Sequence, residues 1–230
     1  MDIIKNQFAK ILTPISDGGI DELKHIEHCA RTAYLSYQYS GDIEKTKRFI
    51  SGIIKRGHES CLEHGYLSVK FLTDRGVANE IVRHRICSYT QESTRYCNYS
   101  KGNGEIRCLM PIGFDLPENR NKFDFWFRSC HVAEQYYMDL IKEGATPEEA
   151  RSVLPLSLVT QIVVTTNYRE WRHIFKLRTA DDAHPQIRQL MGPLLAELKT
   201  RIPVLFDDIP SEEWDGKGTT ILEGIDCEEN

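Results

Sequence analysis

The sequence predicts an α+β fold, a mixed sheet of modest size covered by helices, and three observations carry that expectation. Segments of helical and of alternating apolar periodicity are interspersed along the 230 residues, without the regular strand–helix alternation of a parallel sheet. Neither GxGxxG nor GxxxxGKS/T occurs, so neither Gly-rich loop is available to hold a dinucleotide. Pro and Gly are dispersed, with no linker-like stretch and no internal repeat, so residues 1–230 read as a single domain.

Asp21 to Tyr34 reads as a first helix. Asp42 to Arg56 is a second, because Ile43, Phe49, Ile50, Ile53 and Ile54 recur at helical spacing and Gly57 can cap the end. Leu67, Val69 and Phe71 alternate with Ser68 and Lys70, the pattern of a half-buried strand. Val77 to Arg85 reads as a short helix and Glu105 to Met110 as a strand. Lys122 to Glu143, rich in aromatic and aliphatic residues, is predicted to be the longest helix. Thr146-Pro147-Glu148-Glu149 supplies the cap, the first-position Pro and the third-position Glu of a helix start. Leu158 to Thr166, with Val159, Ile162, Val163 and Val164, is a buried strand, and Asn167 caps the following helix, Tyr168 to Leu177. A last helix opens at Pro185 with Ile187, Leu190, Leu194 and Leu198 on one stripe, and Pro193 predicts a kink in it. From Ser211 the tail is acidic and reads as frayed.

Net charge is −5 and the isoelectric point is near 5.9, which argues against bulk nucleic-acid binding. No apolar run approaches the roughly 18 residues of a membrane span, and the N-terminal residues lack a signal-type apolar region, so a cytoplasmic protein is expected. Seven cysteines without a CxxC pair read as reduced thiols.

In that acidic chain, Ile81 to Ser100 (IVRHRICSYTQESTRYCNYS) gathers Arg83, His84, Arg85, Ser93 and Arg95 within thirteen residues. Guanidinium forks match phosphate and carboxylate geometry, so the cluster reads as a dedicated anion site. The plainer alternative is a solvated basic surface paired with Glu80 and Glu92. On a helix Arg83 and Arg85 would point apart; in an extended or turning segment they would share a side. Gly57 to His64 (GHESCLEH) holds two histidines and two carboxylates, but His58 and His64 are six apart, so a polar pocket-lining loop is preferred to a metal site. In Asn167 to Arg178 (NYREWRHIFKLR), Arg169 and His173 share one helix face and Arg172 and Lys176 an adjacent one. Trp171, Ile174 and Phe175 form a core stripe that ends in Arg178, either a C-terminal helix cation or a group delivered into a cavity. Arg151, in Glu148 to Pro155 (EEARSVLP), stands near a predicted helix start, where the dipole favours a nearby anion.

These four segments, in this order, resemble the flavin-dependent thymidylate synthases: GHESCLEH, the Arg-His-Arg triplet followed after seven residues by Ser93 and then Arg95-Tyr96, EEARSVLPLSL, and NYREWRHIFKLR with AHPQIR beyond it. The resemblance runs from about Ala30 to Gln189. It implies that family's fold, a homotetramer with active sites shared between subunits, and reductive methylation of dUMP to dTMP. Methylenetetrahydrofolate would give the carbon and FAD would carry hydride from NADPH. By resemblance, Ser60, Arg83, His84, Arg85, Glu92, Asn167, Arg169 and His173 fall at flavin-contacting positions. Glu80, Arg83, Ser93, Arg95, Arg151 and Arg178 fall at dUMP-contacting positions, with Arg178 as the activating residue that favours loss of the uracil N3 proton. No cysteine has an activating neighbourhood, which agrees with chemistry carried by a flavin. Position 80 is Glu where many family members have Gln, so an amide donor is missing there. Ala33 stands where some relatives have a hydroxyl or thiol. The competing interpretation is a non-catalytic nucleotide- or RNA-binding module that stacks bases on Tyr89, Tyr96 and Tyr99.

Overall fold

The computed structural model describes residues 1–33, 35–36, 41–211 and 219–223. Two short strands come first, β1 (Asp2–Ile4) and β2 (Gln7–Ile11), where the sequence predicts none. Helices α1 (Ile20–Thr32) and α2 (Ile43–Lys55) follow; Tyr34, in the predicted first helix, lies outside the described residues. The Asp42 carboxylate caps α2 by accepting from the Glu44 amide. Gly57 closes it at φ +74°, a left-handed value that glycine adopts without steric cost.

A 3-10 turn over Glu59–His64 leads into β3 (Tyr66–Asp74) and then α3 (Arg75–Ile81). The chain continues through β4 (Ser88–Gln91), β5 (Arg107–Leu109), the 23-residue α4 (Arg120–Lys142) and α5 (Pro147–Ala150). It ends with β6 (Val159–Asn167), α6 (Tyr168–Arg178), α7 (Pro185–Arg201) and β7 (Thr219–Glu223).

The main sheet has strand order β4-β6-β3-β2-β7, and β1 pairs with β5 apart from it. It is mixed, as predicted: β7 lies parallel to β2 and the other neighbours are antiparallel. One face is built from Leu67, Val69, Phe71, Ile162 and Val164, all 0% exposed, and packs against Leu23 and Ile26 of α1, Ile50 of α2 and Trp171 and Phe175 of α6. Ile187, Leu190, Leu194 and Leu198, the predicted stripe of α7, complete this core, and Pro193 lies inside a helix that stays continuous from 185 to 201. Burying each such side chain stabilises the fold by about 1.5–3 kcal/mol relative to exposure.

Strands β3 and β6 pair from Tyr66 opposite Asn167 to Asp74 opposite Val159. Helix α3 leaves the Asp74 end and α6 the Asn167 end, so the two helices start at opposite ends of one ladder and their last residues meet over it. Gly65 makes the second departure possible, because any Cβ there would collide with the Tyr168 ring.

Three predicted elements change. The helix predicted over Val77 to Arg85 begins at Arg75, capped by Asp74, and stops at Ile81, so the Arg-His-Arg triplet lies in a turn. The Tyr89 hydroxyl stands 3.0 Å from the Ile81 carbonyl and 2.7 Å from the His84 carbonyl, occupying acceptors that a further helical turn would need. The helix starting at Thr146 has its capping box but runs only to Ala150, tightening into a 3-10 turn over Arg151–Val153 before Pro155. In the tail expected to fray, Thr219–Glu223 forms β7.

Candidate active site

Arg178 ends α6, and its guanidinium is held three times. Nη1 donates to Glu80 Oε2 at 2.9 Å, Nη2 to the Glu80 carbonyl at 3.0 Å and Nε to His84 Nε2 at 3.1 Å. The carbonyl belongs to the last turn of α3, so Arg178 is a C-terminal cation for that helix as well as for its own. The side chain remains 20% exposed, so the fixed group still faces solvent.

His84 is buried. Burial first, then the Arg178 charge and then His173, pushes its pKa down from 6.5 to about 4, so the ring is neutral near pH 7. Because Nε2 accepts from an arginine, the proton sits on Nδ1, 3.6 Å from Glu170 Oε1. That contact is therefore between a neutral ring and a carboxylate, not an ion pair. The His173 ring stands edge-on to His84 at 5.9 Å. His84, Glu170 and His173 bring potential metal ligands within 4.8 Å of one another. In this tautomer, however, Nδ1 has no lone pair to offer, and a metal there would have to break the Arg178 hydrogen bond. The trio is configured for a proton.

Arg83 and Arg85 are exposed on either side of buried His84. Both lie in the turn beyond α3 and not on a helix, the setting in which the sequence lets them share a side. Among the described residues neither forms an ion pair. The expected surface partners are engaged elsewhere: Glu80 with Arg178, and Glu92 Oε1 with the Tyr99 hydroxyl at 2.7 Å. Two uncompensated guanidiniums in an acidic chain fit a phosphate-bearing ligand.

A second set stands at the other end of α3, a helix of seven residues and thus about 10 Å long. Arg75, its first residue, donates from Nη2 to the Glu92 carbonyl at 2.9 Å and ties down the segment that follows. There Ser93 Oγ accepts from the Arg95 amide at 3.3 Å, Arg95 Nε pairs with Glu148 at 2.9 Å, and Arg151 Nη1 donates to Thr94 Oγ1 at 3.4 Å. Arg151 follows directly on the four-residue α5 and opens the 3-10 turn, a helix too short for its dipole to call for an anion there. No hydrogen bond or ion pair among the described residues joins this set to Arg178.

A third set flanks the start of α6. Ser60 is exposed in the 3-10 turn, and Arg169 pairs with Glu63, which raises the arginine's pKa through that hydrogen bond. The Asn167 side chain accepts from the Glu170 amide at 2.9 Å, so its oxygen is spent on the cap while its amide nitrogen remains. Arg172, paired with Lys176 in the sequence reading, is 1% exposed and points inward. It donates to the Leu205 carbonyl, to both Asp208 oxygens at 2.7 and 2.8 Å, and to Glu59 at 3.1 Å. Tyr168 and Phe175, four before and three after it, are both core residues, and that flanking was the available sign of its burial. Glu170 was not singled out either, although it shares a face with His173 three residues on.

The tyrosine-stacking alternative loses two of its three rings. Tyr89 is bonded to the triplet turn and Tyr99 packs on Tyr137 at 5.7 Å, leaving Tyr96 exposed. A cavity of about 760 Å³ lined by Glu105, Glu134, Tyr136 and Asp139 lies apart from all the predicted site residues. Another, of about 460 Å³ on the open sheet face, includes Glu92 together with Lys70 and Arg107.

Residues 20–204 match the family model of the thymidylate synthase complementing proteins. The flavin-dependent thymidylate synthase of Pyrococcus furiosus is 33% identical over 190 residues, which is 82% of this chain and 74% of that protein. The chain belongs to the flavin-dependent thymidylate synthase family. The enzyme of that name from Geobacter sulfurreducens is 36% identical over 162 residues, 70% of this chain and 68% of its own. A probable flavin-dependent thymidylate synthase of Mycobacterium phage D29 is 30% identical over 208 residues, covering 84% and 85%. The UMP/dUMP methylase PolB from Streptomyces cacaoi, solved with 5-Br dUMP, superposes with a TM-score of 0.75 over 90% of this chain and 96% of its own; at 20% identity it shows the shared fold. Every flavin-dependent thymidylate synthase segment read from the sequence, from Ser60 to Arg178, falls inside the matched residues.

Proposed function

We propose that this protein converts dUMP to dTMP by reductive methylation, with methylenetetrahydrofolate as carbon donor, FAD as bound cofactor and NADPH as reductant. One observation carries the assignment beyond family membership: a charged guanidinium, Arg178, is fixed by three hydrogen bonds where α3 and α6 end, next to a turn bearing two uncompensated arginines.

The donor set suits a flavin dinucleotide. Arg83 and Arg85 supply cations for its phosphates, and the free Asn167 amide, the exposed His173 ring, Arg169 and Ser60 line the start of α6. His84 and Glu92 support this wall from within, His84 through Arg178 and Glu92 through Tyr99. When bound, the flavin supplies the hydride chemistry. The chain's own residues bind, orient and polarise. Ser93, Arg95 and Arg151, with Arg83, are assigned to nucleotide binding, Ser93 as a hydrogen-bonding group. Arg178, with Glu80 beside it, is assigned to the pyrimidine. A guanidinium stays charged, so it stabilises the negative charge that develops on the pyrimidine ring, without a thiol nucleophile.

The residue sets lie on open surface at two ends of a helix about 10 Å long. Their separation supports a homotetramer in which neighbouring subunits complete each site. The described thiols are all free and no helix among the described residues is long and apolar enough to cross a membrane; the cytoplasm is the compartment proposed.

The test is direct. Purified protein should take up FAD, bleach with NADPH and form dTMP from dUMP and methylenetetrahydrofolate. Arg178→Ala should lower dTMP formation by about 100-fold or more while flavin absorbance persists. Colourless protein that refuses added FAD overturns the proposal, and loss of FAD from Arg178→Ala moves that arginine to the cofactor.

A further inference from the structure

Glu80 is in an electrostatically poor place for its own helix. It occupies the last turn of α3, where the macrodipole disfavours a carboxylate. What it contacts there is Arg178, through its carboxylate and through its carbonyl. A guanidinium has five N–H groups. Nε–H goes to His84, and one N–H on each Nη goes to Glu80. One N–H on each Nη is left without a partner among these bonds. Glu80 and Arg178 are 32% and 20% exposed, so the ion pair lies within reach of a ligand.

The ion pair also settles which anion Arg178 can serve. Its charge is already compensated by a carboxylate at 2.9 Å, which weakens its pull on a phosphate dianion. Arg83 and Arg85 carry no such partner among the described residues. We propose, resting on the function above, that Glu80 is a positioning residue: it holds the Arg178 guanidinium in place for the pyrimidine ring, leaving the unused N–H groups to ring acceptors, and its charge reserves that arginine for the ring while the triplet arginines take phosphate. The side chain acts through Arg178 and on the nucleotide-free protein as well as on the complex.

The experiment compares flavin-loaded wild type, Glu80→Gln and Glu80→Ala for kcat and for KM with dUMP. It adds 15N NMR of the His84 imidazole in the nucleotide-free protein. Gln keeps an acceptor oxygen for Nη1 but gives up the charge, so its kcat should fall, by less than that of Ala. Ala removes the acceptor, and kcat should fall about ten-fold or more with KM changed by less than about three-fold and flavin content unchanged. The His84 Nε2 resonance should move in Glu80→Ala and hold in Glu80→Gln, because a loosened Arg178 no longer donates to it at a fixed geometry. A role limited to touching substrate would leave that resonance in place, and that result overturns the inference. So does a Glu80→Ala kcat within two-fold of wild type, or an equal loss in both variants. Wild type that fails to methylate dUMP sinks the proposed function instead, and the His84 signal still decides whether Glu80 positions Arg178.

Discussion

Arg172 and Arg178 stand six residues apart on α6, and both meet carboxylates, yet they belong to different kinds of site. Arg172 is 1% exposed and ties α6 to two other segments, the 3-10 turn through Glu59 and the stretch after α7 through Leu205 and Asp208. Arg178 is 20% exposed and makes three bonds, which leaves two of its five N–H groups unused by them. Residue type and ion pairing do not separate them. Unused donors and access do: the first arginine is consumed by the fold, and the second is held still with something left to give.

The widest separation should appear in stability. Arg172→Ala leaves Glu59 and Asp208 facing a vacated buried position and should cost about 3 kcal/mol, toward the low end for a broken buried pair because Asp208 is half exposed. Arg178→Ala should cost under about 1 kcal/mol, since its partners regain water. Urea unfolding of the two variants measures both. Equal costs would erase the distinction.

A smaller effect sharpens the Arg178 side. His84 titrates near 4 in the folded chain and near 6.5 when unfolded, so between those values the unfolded chain alone takes up the proton. Stability is complete above about pH 6.5 and should fall by about 3 kcal/mol as pH drops toward 4. His84→Asn should flatten that decline. An unchanged slope would mean that His84 is not held neutral by its burial beside Arg178.

The smallest effect concerns Asn167, where cap and proposed flavin contact share one side chain. Asn167→Ala should cost about 1 kcal/mol, whereas Asn167→Asp keeps the cap and removes the amide donor. Weaker FAD binding in the Asp variant at unchanged stability assigns the amide to the cofactor; equal FAD affinity confines Asn167 to the helix.

The sequence made the long and periodic parts legible. The α2 and α7 stripes, the alternation of β3, and the caps at Thr146 and Asn167 all stand where periodicity and cap chemistry put them. The strands β1, β2, β4 and β7, of three to five residues, are too short for a period to register and are held by their neighbours in the sheet. The triplet turn escaped because Tyr89, a residue beyond it, supplies the contact that ends α3. For the site, the ordered segments revealed which residues to consider but not how they pair. That Glu80 meets Arg178, 98 positions away, and not Arg83, three away, follows from two helices leaving opposite ends of the β3–β6 ladder.

Helix α3 has a mechanical consequence. Its first residue grips the Glu92 carbonyl and its sixth grips Arg178, with Val77, Ala78 and Ile81 wedged into the core between. Two turns of helix are too stiff to absorb a displacement along their axis. The Glu92 carbonyl and Arg178 are thus tied to the two ends of one short rod, which sets the spacing between the strand end before Ser93 and the C-terminus of α6.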